Sequence, residues 1–191
     1  ASLNTQQVAG LTSDDLNALD TAQVRALNTA QIAALTTAQV STMDSADVAA
    51  LGTAQITALS SSQLGALATA NLAALETAQV ATLNSRQIAG LTTAQVAALD
   101  TQDLRAMNTA ALRALTTAQL DALGSAQIAG LSTGQVASLT TSQVAGLSSD
   151  DLNALETAQI RALTTAQINA LSTDQVSTMD SADVAALSTA Q

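Results

Sequence analysis

Four pairs of carboxylates are the residues best placed, by type and spacing, to do chemistry. Asp14 and Asp15 are adjacent, as are Asp150 and Asp151, while Asp44 with Asp47 and Asp180 with Asp183 stand three apart. Several carboxylate oxygens in one place are what a hard cation such as Ca2+ binds. No EF-hand loop and no glycine–aspartate calcium repeat accompanies these acids, so helix capping and solubility are the plainer reading, and no metal site is expected. Two columns of polar residues are the other candidates. A Ser or Thr recurs at every eighth position from Thr5 to Thr189, and a Gln recurs at most eighth positions from Gln7 to Gln191. Regular hydroxyls on a stiff rod would suit an ice-binding face, against the simpler alternative of a local structural hydrogen bond. The glutamines would suit an amide ladder or a sugar-binding row, against a plain role in helix capping.

Catalysis has little to work with. The chain holds no His, Cys, Trp, Tyr or Phe, and no Lys. Ser and Thr abound, yet no base stands ready to activate them, and no aromatic residue is available to wall a pocket. The expectation is a protein without catalytic, cofactor-binding or metal-ligating residues, and not an enzyme. The absence of Cys also removes disulfides and thiolate metal sites.

Charge narrows the partners. The 191 residues carry 5 Arg and 15 acids, for a net charge of -10. Nucleic-acid affinity rests on neutralising phosphates with Lys and Arg, so no nucleic-acid partner is expected. The apolar runs are short and Ala-rich, so no membrane insertion is expected either.

What must position all these residues is a lattice of eight. Numbered from Leu3, position one is Leu or Met in every unit to Leu187, and position six is Val, Ile or Leu from Val8 to Val184. No Leu, Ile, Val or Met stands anywhere else. An unbroken repeat of this kind is a solenoid, each unit being one structural step. Leu, Ile and Val make up 44 of the 191 residues, above the composition of disordered chains. All charges fall at positions two, four, five and seven. Those four positions are therefore expected to face solvent, and positions one, three, six and eight to be buried or pressed against a neighbour.

One continuous helix fails, because eight residues turn through about 800° and leave a drift of roughly 80° per unit. The apolar spacing of five then three is not the alternation of a strand, although Val, Ile and Thr keep a β-solenoid open as the competing reading. A short helix fits at several levels. Position two is Asn, Asp, Ser, Thr or Gly in most units, the preferred N-cap residues, and Gln or Asp follows three residues later in the spacing of a capping box, as in Thr92 and Gln95. Leu at position one and Val or Ile at position six then form the hydrophobic staple. Arg25, Arg105, Arg113 and Arg161 fall near the helix end, where the macrodipole favours cations. Small residues at position eight, including Gly10, Gly90, Gly130 and Gly146, suit a helix exit.

The expected architecture is an all-α solenoid of short capped helices, one per repeat unit. It is read as one uninterrupted domain over residues 1–191, with 24 units from Leu3 and the last one partial. Position two reads Asn, Thr, Asp, Asn, Thr, Asp from Asn4 to Asp44, a pattern that returns at every third unit and points to three helices per coil. The unit, seen in "LTTAQVAA" from Leu91, resembles the octapeptide arrays of certain bacterial proteins in which short helices wind three to a turn into a triangular prism, the Toblerone fold. That resemblance covers the whole chain, implies the prism, favours an extracellular or cell-surface setting and transfers no activity.

Residues 1–55 return closely as 137–191, displaced by seventeen whole units. Seventeen is not a multiple of three, so in a prism the copy lands on another face. A length-setting role tolerates that better than a face-specific one. The chain begins and ends inside a unit, as a piece of a longer array would. Neither end carries an altered polar unit, and the Leu and Val there predict end-to-end association with further copies. The functional expectation is a rigid, acidic, structural spacer or surface scaffold, with an ice-binding or protein-binding module on a Thr/Ser-bearing face as its alternative.

Overall fold

The structure, a computed structural model, describes residues 3–191. It contains 23 short α-helices among the described residues, each of four to six residues and each within one repeat unit, and no strand. The β-solenoid reading is thereby excluded for those residues. The helices are numbered α1 to α23 in chain order, from α1 (Thr5–Ala9) to α23 (Ser181–Ala186).

The local cause of each helix is visible at α12 (Thr93–Ala97). Thr92 is extended, its Oγ1 accepts from the Gln95 backbone N–H at 3.1 Å, and its own N–H donates to Gln95 Oε1 at 2.8 Å. This reciprocal capping satisfies two of the free amides at the helix start. The helix closes on position eight, in the right-handed helical region, and the next Leu N–H returns to the Val or Ile carbonyl, as Leu99 to Val96 at 3.2 Å. Two extended residues then turn the corner. Leu51 at φ −60°, ψ 136° and Gly52 at φ −72°, ψ 158° are one such pair. No described residue has a positive φ, glycine included. The glycines of position eight therefore do not serve as left-handed helix exits, because the corner is made with ordinary extended backbone at the two residues that follow.

Glycine is used for space instead. A Cβ on Gly65, in α8 (Ser61–Ala66), would lie 2.5 Å from Gly90 O, and one on Gly90, after α11 (Ser85–Ala89), would lie 2.6 Å from Ser61 Cβ. The two helices meet there backbone to backbone.

Helices pack on their third neighbours along the chain. α3 (Thr21–Arg25) touches α6 (Ser45–Ala50), α6 touches α9 (Thr69–Ala73), α10 (Thr77–Val80) touches α13 (Thr101–Ala106), α11 touches α14 (Thr109–Arg113), and α13 touches α16 (Ser125–Ala129). Three helices thus complete one coil, and the molecule is a three-sided solenoid. At a helix spacing of about 8–10 Å, eight coils make a rod roughly 65–80 Å long. One hydrophobic core follows the axis. Positions one and six are buried from Val24 to Leu163 without a break, and Ile32, Ile56, Leu72, Ile88, Leu104 and Ile128 are wholly enclosed. A helix of one and a half turns has no stability of its own. Its Leu and Val hold it in place by closing over the coil beneath.

Two expectations about exposure are corrected. Position five is buried, at Gln31, Gln39, Gln63, Gln79, Gln95 and their equivalents, whereas position three is exposed in most units, as at Thr21, Thr69, Thr93, Thr117 and Thr165. Charge at position five misled, because most of the Asp residues there are buried along with the glutamines. The hydroxyl at position three sits on the first helical residue and projects from the coil. Its cross-coil hydrogen bond, where present, reaches a particular partner, as Ser85 Oγ donating to Ala110 O at 3.0 Å.

Candidate functional site

The side chains that bring elements together are the glutamines of position five. Each, apart from Gln191, which lies in no helix, is the third residue of its helix. Its Oε1 accepts the N–H of its own cap residue in every unit that has Gln, for example Asn28 to Gln31 at 2.7 Å and Thr140 to Gln143 at 2.8 Å. Its Nε2 points the other way. From Gln31 onward every such amide donates to the carbonyl 28 residues earlier, which is the corner Leu or Met of the coil beneath, at 2.5–3.0 Å. Many also reach the carbonyl 31 residues earlier, at the end of the helix before that corner, as Gln95 does at Leu64 O, 3.0 Å. One amide therefore caps the start of its own helix and the end of a helix one coil below. Leu67 O, which would otherwise be a carbonyl left over at a helix exit, is satisfied by Gln95.

This double use was only half visible beforehand. A capping box accepts Glu as readily as Gln. In a chain with 15 acids, no Glu occurs at position five, and Glu76 and Glu156 stand at position two. The second bond has no such signal, since five Asp stand at position five although a carboxylate accepts as the amide oxygen does but cannot donate. That bond bears on the amide-ladder and sugar-binding readings. The amides are spent on backbone carbonyls, and their side chains are buried from Gln31 through most of the rod.

Position five has seven departures from Gln, and they behave differently. Asn71 is shorter by one methylene and still donates to Met43 O, at 2.5 Å. Ala111 cannot donate, and Leu83 O receives only a long 3.4 Å bond from Asn108 Nδ2. Ala111→Gln should therefore restore a full donor to a buried carbonyl and stabilise the protein by about 1 kcal/mol. Thermal unfolding should show it as a rise of about 2–4 °C in Tm. Of the five Asp residues, Asp15 lies in the first coil, where it accepts from both the hydroxyl and the N–H of Thr12 at 2.7 and 3.2 Å. Those bonds hold its carboxyl below the ordinary value. Asp151 and Asp183 are buried, and each accepts a hydroxyl from position three of the coil beneath, Ser125 at 2.8 Å and Thr157 at 2.9 Å. Asp47 and Asp103 are buried as well, and burial pushes both carboxyls above the ordinary value.

The paired acids are thus not all caps. Asp15 and Asp151 cap reciprocally with Thr12 and Ser148, but Asp44 and Asp180 make no side-chain cap bond. The capping reading of those two pairs is corrected on that ground. Their partners Asp47 and Asp183 turn inward to the coil beneath instead. Among the described residues no group of three or more His, Cys, Asp or Glu side chains is gathered so as to hold a metal. Arg25, Arg86, Arg105, Arg113 and Arg161 are all exposed. Two shallow clefts of about 270 and 260 Å³ lie between coils, one between Arg25 and Glu76 over Gly52, the other between Arg105 and Glu156 beside Gly130. Each opens where small residues meet at a corner.

The exposed hydroxyls form one ordered stretch. The words "LTT" at Leu91, Leu115, Leu139 and Leu163 stand three units apart and so stack on one side of the rod. Asp121 is the only charge in the units that carry them. In all four units the first Thr already serves as a cap acceptor, at Thr92, Thr116, Thr140 and Thr164, and the second is exposed.

No helix among the described residues is long and apolar enough to cross a membrane. Six overlapping stretches, residues 8–45, 40–77, 67–101, 96–133, 125–155 and 145–181, match the model of the ALTTAQ repeat. No curated protein matches the chain.

Proposed function

The chain belongs to the ALTTAQ repeat family, and we propose that it serves as a structural repeat protein, a rigid acidic spacer or scaffold with no catalytic activity and no cofactor. The observation that carries this reading is the glutamine bond. Each coil is tied to the next by the same amide-to-carbonyl contacts over a continuous core, so length is set by the number of coils and stiffness by the bonds between them. The long duplication fits this reading. Asn17 donates to Thr42 O and its counterpart Asn153 donates to Thr178 O, at 2.8 and 2.9 Å, although the two stand on different sides of the rod. What the copy preserves is the joint between coils. The likeness of the unit to the triangular-prism octapeptide arrays supports the same role, and the shortage of cations supports a protein without a nucleic-acid partner.

The test removes one coil. Deleting residues 91–114 takes out three units and rejoins Gly90 to Leu115 in phase. The shortened protein should keep its helical signal and cooperative melt, and X-ray scattering should record a rod shorter by about 8–10 Å. Loss of the fold, or an unchanged length, would count against a spacer.

End-to-end association of the 191-residue chain belongs to the same proposal. Val176 and Val184 are 48% and 46% exposed, and Leu3 is 36% exposed, whereas the other Val and Leu side chains among the described residues are buried or partly buried. Among the described residues, Gln7 and Gln23 cap their own helices and make no bond to another coil. A second copy would offer its last coil to those amides and cover the valines. Sedimentation should show mass rising with concentration, and Val176→Lys with Val184→Lys should abolish the rise. A concentration-independent monomer would remove this part of the proposal.

The "LTT" column favours one second reading, a regular hydroxyl face for ice or a protein. Thr93, Thr117, Thr141 and Thr165 changed together to Lys should then abolish thermal hysteresis or partner capture while leaving the melt unchanged.

A further inference from the structure

Position five is a socket with a fixed demand. An acceptor must meet the cap N–H of its own unit, and a donor must meet the corner carbonyl 28 residues earlier. An ionised carboxylate meets the first demand and opposes the second. Asp47 and Asp103 stand at this position at 6% and 4% exposure, and the carbonyls 28 residues earlier are Leu19 O and Leu75 O. Among the described residues, no backbone or side-chain donor reaches either oxygen. A protonated carboxyl would supply the missing donor. Its length suffices, because Asn71 has the same number of side-chain atoms and donates to Met43 O from the same place.

We infer that Asp47 and Asp103 are proton-operated latches between coils: when protonated, each donates its carboxyl O–H to the corner carbonyl beneath, Leu19 O or Leu75 O, and the rod tightens as pH falls.

The surroundings agree with this at both sites. Around Asp47, α6 contributes Asp44, and α3 beneath contributes Asp20 and, farther along, Arg25, while α9 above brings no charged residue. Burial and the like charges of Asp44 and Asp20 all favour the protonated form. The hydroxyl that answers the equivalent acid elsewhere is at hand as Thr21, but no bond to Asp47 is formed, unlike Ser125 to Asp151. Around Asp103, its own unit contributes Asp100 and Arg105, α10 beneath contributes Thr77 and Glu76, and the unit of α16 above is uncharged. Burial is the main cause there, partly offset by the Thr77 hydroxyl. Asp15 is the internal control. It has the same type and position, but its carboxyl accepts from Thr12 and is held below the ordinary value by those bonds.

The sign follows from linkage. A carboxyl held above its ordinary 3.8 in the folded protein binds its proton more tightly than the unfolded chain does. The fold therefore gains stability as pH falls from neutral through that raised value, with no further gain below about 3.8. Most native carboxylates do the reverse.

The test compares two variants of equal charge. Asp47→Asn with Asp103→Asn installs the neutral donor permanently. Asp14→Asn with Asp121→Asn removes two exposed charges instead. For the unmodified protein, Tm should rise as pH falls from 7 through the raised carboxyl values, and the exposed-site variant should keep that rise. The socket variant should melt higher at pH 7 and lose most of the rise. Protection factors for amide exchange across α3, α6, α10 and α13, corrected for the intrinsic effect of pH on exchange, should rise as pH falls in the unmodified protein and should stay constant with pH in the socket variant. Identical pH profiles for the two variants would overturn the inference. So would a carboxyl titration, followed by NMR, that places Asp47 and Asp103 at or below the ordinary 3.8.

Discussion

Leu104→Ala should cost about 2–5 kcal/mol, the range for removing a fully enclosed aliphatic side chain whose cavity cannot close. Leu104 lies wholly buried in α13, among the position-one and position-six residues of the rod's middle. Collapse around the gap is resisted on two sides. Gln135 from the coil above donates to Leu104 O at 2.7 Å, and the cap bond from the Asp103 N–H to Asp100 is 2.7 Å. The expected loss is also localised. The main contacts run from each coil to its neighbours, so the loss should spread outward through nearest-neighbour steps. Amide exchange should quicken first in α10, α13 and α16 and remain slow three coils away. A global melt with uniform loss of protection would show that coupling between coils is stronger than a nearest-neighbour stack provides.

The lattice of Leu and Val made the coil legible because burial has a side-chain signature. Only apolar types stand at Leu27, Ile32, Leu35 and Val40, and all four are buried. Caps were legible for the same reason, since Thr92 and Gln95 declare themselves by type and spacing. What escaped is the other half of the glutamine. Its partner is a backbone carbonyl one coil away, and a carbonyl is present at every residue whatever its side chain. The period of three was likewise faint in the sequence, carried by a run of cap residues from Asn4 to Asp44, yet it is explicit in every Gln bond to the coil beneath. Position three illustrates a different limit. Its constant Ser or Thr suggested a structural hydrogen bond between coils, which forms at Ser85, Ser125 and Thr157, yet Thr21, Thr93 and Thr165 are exposed. An invariant type can reflect the first turn of a helix as easily as a contact.

Gln95→Glu should separate the two halves of that side chain more sharply than any truncation. The substitution keeps the size and the acceptor for the Thr92 N–H, so the helix cap survives. It removes the donor to Leu64 O and Leu67 O, bonds of 3.0 and 2.7 Å, and puts a negative charge against two carbonyl oxygens at a site 1% exposed. Leaving buried carbonyls without a donor costs about 1–3 kcal/mol, and a buried charged group costs more. At neutral pH the variant should therefore lose about 3 kcal/mol or somewhat more, read as a drop in the urea midpoint with an unchanged slope. Acid should reverse it. The carboxyl introduced here is raised in the fold relative to the unfolded chain, so stability returns as pH falls through its folded value and the protonated group donates as the amide did. Gln95→Ala loses the same donor but has nothing to titrate, so its deficit should stay constant with pH. Recovery of the Glu variant alone would establish that the coils are held by donation to the corner carbonyl. An equal, pH-independent loss in both would mean that volume at this position, and not the hydrogen bond, joins one coil to the next.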